Sequence, residues 1–197
     1  MMPRHALIVC AALLVQLVLP VMAQSVDVQR ESPAATTSVE DTRPELKDLL
    51  PHSRLVGKGR LTYFGLQVYD ARLWSVAGFK AENFATQPFA LELSYLRDFK
   101  NRAIAERSIL EMRRSTSISD AQAAIWIEEM MRVYPDLKKG DRVMGINKPG
   151  VGAAFLVNGK PSGEIRDLEF SRLFFGIWLS PKTSEPKLRS ALLAGAM

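Results

Sequence analysis

Thiol and imidazole chemistry are nearly absent from this chain. It holds one cysteine, Cys10, and two histidines, His5 and His52, in 197 residues. Cys10 and His5 both fall in a segment that reads as a cleavable export signal. Arg4 and His5 form a basic start, Ala6 to Leu19 is an apolar run broken only by Gln16, and Val21 and Ala23 suit a cut before Gln24. The run is short against the ~20 apolar residues that a membrane span needs, so residues 1–23 are expected to be removed, not kept as an anchor. That leaves no thiol and the single imidazole of His52. A disulfide framework, a cysteine nucleophile and a Cys/His zinc site are excluded, and so is a Ser-His hydrolase unless His52 serves alone. No metal and no cofactor are expected. Gly145, Gly150 and Gly152 do not open a helix after a strand, so they form no phosphate loop.

Runs of one charge are missing too. Twenty-six Lys and Arg against 21 Asp and Glu give a net charge of +5, with the basic residues scattered among acids. A nucleic-acid surface shows clustered cations with interleaved aromatics, so no nucleic-acid partner is expected. After the signal no stretch is long and uncharged enough to span a bilayer.

Residues 24–45 are rich in Ser, Thr, Pro and acids and have no apolar period; they read as a disordered linker. The folded domain is expected over residues 46–197. Arg54 to Phe64 and Leu66 to Ser75 read as a hairpin joined near Phe64-Gly65, with Gly57 and Gly59 marking a bulge or a close backbone approach. In Phe89 to Arg97 the apolar Phe89, Leu91, Leu93 and Tyr95 recur with a period of two, which gives a third strand. Asn101 to Arg114 reads as a helix. Ser119 to Gln122 is a capping box opening another, in which Ala123, Trp126, Ile127, Met130, Met131 and Tyr134 share an apolar face, the methionines as core filling. Strands follow at Arg142 to Asn147, Gly152 to Val157 and Lys160 to Ile165, the last two joined by an Asn158-Gly159 type I′ turn. Asp167 caps an almost wholly apolar helix, Leu168 to Leu179, and Ser184 is expected to cap a last one. This order implies an α+β fold, an antiparallel sheet covered on one side by helices.

Few side chains offer chemistry. Arg60 lies beside Lys58 on a strand, with Tyr63, Tyr69 and Tyr95 on nearby strands, and a guanidinium fork among phenols can hold a carboxylate or phenolate. The more ordinary place for such an arginine is the surface. Arg102, Glu106 and Arg113 form a row on the first long helix between two apolar strips; spacing alone reads as a solvated ion pair.

Leu55 to Leu61 (LVGKGRL) and Gly65 to Trp74 (GLQVYDARLW), with Tyr95 to Ile109 around Arg97-Asp98-Phe99, Lys139-Gly140-Asp141 and Phe170 to Leu179, resemble the chalcone isomerase-like family, in particular its exported bacterial branch. The resemblance runs from about Leu49 to Leu193. It implies an open-faced β-sandwich with a ligand cleft between a large antiparallel sheet and a helical layer. The family includes plant flavonoid-cyclising enzymes, fatty-acid-binding relatives and members with no assigned activity. In the plant enzymes an arginine and a threonine on the first hairpin polarise the chalcone, and a tyrosine and an asparagine around the first long helix hold it. The arginine matches Arg60, or Lys58; the threonine falls at or near Tyr69, the tyrosine at Phe99 and the asparagine at Glu106. A slip of one residue would let Tyr95 stand in for the missing phenol. Phe99 has no hydroxyl to donate and an ionised Glu106 would repel an anion, so efficient chalcone cyclisation is not expected.

What the resemblance implies is therefore a non-catalytic, periplasmic or secreted protein with no assigned catalytic residue. It would hold a small apolar or amphipathic ligand, such as a fatty acid, with Arg60, Tyr69, Tyr95, Phe99 and Glu106 at the site. An isomerase or intramolecular lyase on another substrate, and an envelope interaction protein with a filled cleft, are the alternatives. The oligomeric state is left open.

Overall fold

Alternating apolar side chains give the strands one face to bury, and the sheet is assembled from that face. The structure, a computed structural model, describes residues 43–196. The signal expected at 1–23 and the linker as far as residue 42 lie outside the described residues. Within them, strands β1 (Arg54–Tyr63), β2 (Leu66–Ser75), β3 (Phe89–Tyr95), β4 (Arg142–Lys148), β5 (Gly152–Val157) and β6 (Lys160–Ile165) pair antiparallel in chain order. Helices are α1 (Leu46–Leu49), α2 (Asn101–Met112), α3 (Asp120–Val133), α4 (Leu168–Leu179) and α5 (Pro186–Leu192), with a short 3-10 segment at Ala81–Thr86. The expected α+β sheet with a helical layer is the observed architecture.

Helix α4 lies over β5, α3 against β6, and α5 over β1 and β2, while α2 leans on α3 and α4. The nearly continuous apolar surface of α4 explains its central place. Phe170, Leu173, Phe174, Phe175, Trp178 and Leu179 are all buried. Phe170 stacks on Phe174 at 5.3 Å, and Phe174 meets Phe155 of β5 edge-on at 5.5 Å. Asp167 caps α4 by accepting from the Phe170 amide at 2.9 Å and also accepts the Trp126 indole N–H at 2.9 Å, which fixes α4 to α3. Gly57 sits at a register shift in β1, and a Cβ there would meet the backbone carbonyl oxygen of Ala191 at 2.2 Å. Bulge and close approach thus occur together. The Asn158-Gly159 turn has φ of 51° and 78°, as its type requires.

Three details differ from the sequence reading. The strand expected to reach Arg97 ends at Tyr95, because Asp98 accepts hydrogen bonds from Lys138 Nζ and the Lys139 amide and Phe99 forms a bridge with Leu137. Ser184 caps nothing: α5 begins after Glu185, and the Ser184 hydroxyl donates to Glu111 at 2.8 Å. The sheet is also covered on its second face. There Leu46 and Leu50 pack with Trp74, Ala90, Met144, Ile146, Ala154 and Leu156, since β4 and β5 are apolar on both sides. Arg43 and Glu45, at the end of the segment read as linker, carry ion pairs to that face. Arg43 grips the wholly buried carboxylate of Glu92 with two hydrogen bonds of 2.6 and 2.7 Å, Arg142 adds a third, and Glu45 pairs with Arg142 at 3.2 Å.

A candidate ligand cavity between sheet and helices

The helix-facing positions of the strands do not all meet the helices. Leu61 of β1, Tyr69 of β2, Leu93 and Tyr95 of β3 and Val143 of β4 floor a cavity of about 370 Å³. Ile104 and Ser108 of α2 and Phe174, Ile177 and Trp178 of α4 roof it, and Tyr63, Leu66, Arg97 and Ala103 belong to the same wall. That volume falls in the range of small-molecule sites, ~300–1,000 Å³. The hollow remains because α2 ends at Met112 and crosses to α3 while α5 covers only the far part of β1, where Gly57 and Gly59 admit it.

Three phenols interrupt this apolar wall. The Tyr69 hydroxyl accepts the Trp178 indole N–H at 2.9 Å and, among the described residues, gives its own proton to no acceptor. Tyr95 crosses Tyr69 edge-on at 5.9 Å, and its hydroxyl has no partner among the described residues. The Tyr134 hydroxyl is buried and has no partner among the described residues. Burial raises the pKa of all three above the ordinary phenol value; for Tyr69 the Trp178 hydrogen bond opposes this without cancelling it, and the neighbouring phenol adds to it for Tyr95 and Tyr134. At neutral pH all three are protonated donors. A ligand oxygen is the group such a wall can satisfy.

Cations stand at the wall but are not sunk in it. Arg97 is exposed and, among the described residues, has no carboxylate partner. Arg107 is paired with Glu111, which also accepts from Ser184.

Of the five residues expected at the site, Tyr69, Tyr95 and Phe99 line the cavity and Arg60 and Glu106 do not. Arg60 is corrected by strand parity: its neighbour Leu61 faces the hollow, so Arg60 faces the other side of the sheet. There it meets Asp70, its cross-strand partner, through two hydrogen bonds of 2.6 and 2.9 Å. Lys58 shares that parity. Glu106 lies on the outer surface of α2, 4.0 Å from Arg102, so the repulsion expected from it within a cleft does not arise. The wall residues that sequence reading passed over are Arg97, Arg107 and Tyr134. Arg97 carried a signal, since it keeps the parity of Phe89, Leu91, Leu93 and Tyr95. Tyr134 read as core, and only the structure separates a core ring from a wall ring.

A family model described as chalcone isomerase-like matches residues 52–194. A Haemophilus influenzae protein described as uncharacterized is 28% identical over 142 residues, covering 72% of this chain and 68% of that protein. The crystal structure of an Arabidopsis thaliana fatty-acid binding protein matches with a TM-score of 0.57 at 12% identity, covering 74% of this chain and 88% of that one. At that identity the likeness speaks for the fold alone. Among the described residues no group of acids, cysteines or histidines is placed to hold a metal ion, and no helix is long and apolar enough to cross a membrane.

Proposed function

The chain belongs to the chalcone isomerase-like family, and on that footing we propose that it is a non-catalytic binder of a small amphipathic molecule. The apolar part of the ligand lies against Leu61, Leu93, Phe99, Ile104 and Ile177. Its oxygen-bearing head accepts hydrogen bonds from Tyr69 and Tyr95. The observation that carries this reading is an apolar hollow of about 370 Å³ whose wall holds phenol donors with no acceptor among the described residues.

The head binds best without charge. Arg107, near Tyr69, is already neutralised by Glu111, and a carboxylate drawn in beside phenols alone would lose its hydration without gaining a counter-ion. Fatty alcohols, ketones and protonated fatty acids fit; a carboxylate form is served only by Arg97 at the wall's exposed side. Chalcone-type turnover is not part of the proposal, since Phe99 brings no hydroxyl to the wall and Arg60 is engaged outside it. As part of the same reading the mature chain works in the periplasm or outside the cell, supported by the basic, apolar and small-residue order of residues 1–23.

Native mass spectrometry of gently purified protein tests the binding. A discrete adduct is expected, exchangeable for an added long-chain alcohol or acid. Protein that is always empty and takes up neither compound contradicts the proposal.

A further inference from the structure

The β1–β2 hairpin turns on Phe64 and Gly65, with φ of 47° and 77°. The β5–β6 hairpin turns on Asn158 and Gly159 with almost the same values, 51° and 78°. Asparagine and glycine accept this left-handed conformation readily, whereas a phenylalanine resists it. Nor is the phenylalanine compensated by burial. Phe64 is 87% exposed, with the Tyr63 ring edge-on beside it at 4.5 Å. Tyr63 and Leu66 beside it are 51% and 55% exposed. Both also line the cavity, so the apolar tip is continuous with the cavity wall. No acidic residue occurs from Arg60 to Val68, and Arg97, which has no carboxylate partner among the described residues, stands in the same wall.

We propose that this hairpin tip docks on a lipid bilayer that carries anionic headgroups. Phe64 and Leu66 enter the interfacial layer, Tyr63 stays at headgroup level, and Arg97 faces the phosphates. A bilayer fits better than a protein partner. A stable protein interface takes about 20–30 residues a side, and the tip offers three apolar side chains on a protruding turn, which lipid can surround without a matching surface. Docking places the cavity wall against the membrane, so an amphipathic ligand can pass between the two without crossing water. That passage rests on the ligand-binding reading; the docking does not.

The test is flotation with phosphatidylcholine vesicles, with and without phosphatidylglycerol, using wild type, Phe64→Asn and Arg97→Gln. Phe64→Asn installs the residue this chain already uses in its other turn of the kind, so the fold is kept. Wild type is expected to float with the mixed vesicles. Phe64→Asn should lose about ten-fold or more in partitioning, while Arg97→Gln should lose the preference for phosphatidylglycerol. Uptake of a long-chain alcohol by each protein in free solution is measured alongside. Wild type that floats but takes up no alcohol defeats the cavity reading and leaves docking standing. Uptake without flotation, or Phe64→Asn floating as well as wild type, overturns docking. So does a tip variant whose only change is to split a wild-type dimer in sedimentation, because the tip then meets a second copy of the chain.

Discussion

Trp178 of α4 donates its indole N–H to the hydroxyl of Tyr69 on β2 at 2.9 Å. This one bond joins roof to floor and leaves the phenol proton for something else. The two partners are not equivalent in what their loss would do. In Tyr69→Phe the buried indole N–H has no acceptor, which costs about 1–3 kcal/mol. Tyr95→Phe removes a hydroxyl that bonds to no described residue and should leave stability unchanged or slightly raised. Urea denaturation of the empty proteins separates the two, and ligand affinity should fall in both.

The three cavity phenols should be silent in an alkaline titration of the folded protein. Burial holds Tyr69, Tyr95 and Tyr134 protonated above the ordinary value of 10.0. A group with a raised folded pKa contributes stability that is fully present below its unfolded pKa and is lost as pH rises beyond it. Phenolate absorbance from these three is therefore expected only together with unfolding. Smooth ionisation near pH 10.0 with the fold intact would show the wall to be open to water.

Glu92 anchors the opposite face of the sheet. Burial alone would raise its pKa, but the hydrogen bonds and charge of Arg43 and the charge of Arg142 outweigh burial and hold it below the ordinary 4.5. The sign follows: this stabilisation is complete above pH 4.5 and is lost as pH falls through the lowered folded value. Glu92→Gln should cost up to about 3–5 kcal/mol at neutral pH by removing the buried charge that the partly buried Arg43 and Arg142 surround. Its acid-denaturation curve should also lose that component, as read from urea midpoints across a pH series.

Gly57→Ala is expected to destabilise by about 1–3 kcal/mol through overpacking. The new methyl would press on the carbonyl oxygens of Ala191 and Leu192, and the end of α5 would have to lift from β1. Thermal denaturation measures the loss, and faster amide exchange at Gly195, which donates to the Val56 carbonyl at 2.9 Å, locates it.

Much of this fold was legible in the sequence because its local signals agree. The period of two in Phe89 to Tyr95, the Asn158-Gly159 turn and the cap at Asp167 each dictate one outcome. The second core around Leu46, Trp74 and Met144 was not legible. A strand buried on both faces shows no alternation, and its cover comes from Leu46 and Leu50 at the very start of the expected domain, tied down by Arg43 and Glu45 from the segment read as linker. Of the five residues expected at the candidate site, Tyr69, Tyr95 and Phe99 lie in the cavity wall and two do not. Tyr69 and Tyr95 follow from the strand pattern, but an aligned arginine is a weak guide on a strand, where one position decides the face. Arg60 went to Asp70, while Arg97, in phase with Tyr95, came to the wall.

Calorimetric titration of delipidated protein with a long-chain alcohol tests most directly whether the hollow, and not the hairpin arginine, holds the ligand. Wild type and Arg60→Ala should bind one molecule with similar affinity, and Ile104→Trp, which fills the cavity from its roof, should bind none while remaining folded. Binding that survives Ile104→Trp but disappears in Arg60→Ala would contradict the cavity as the site.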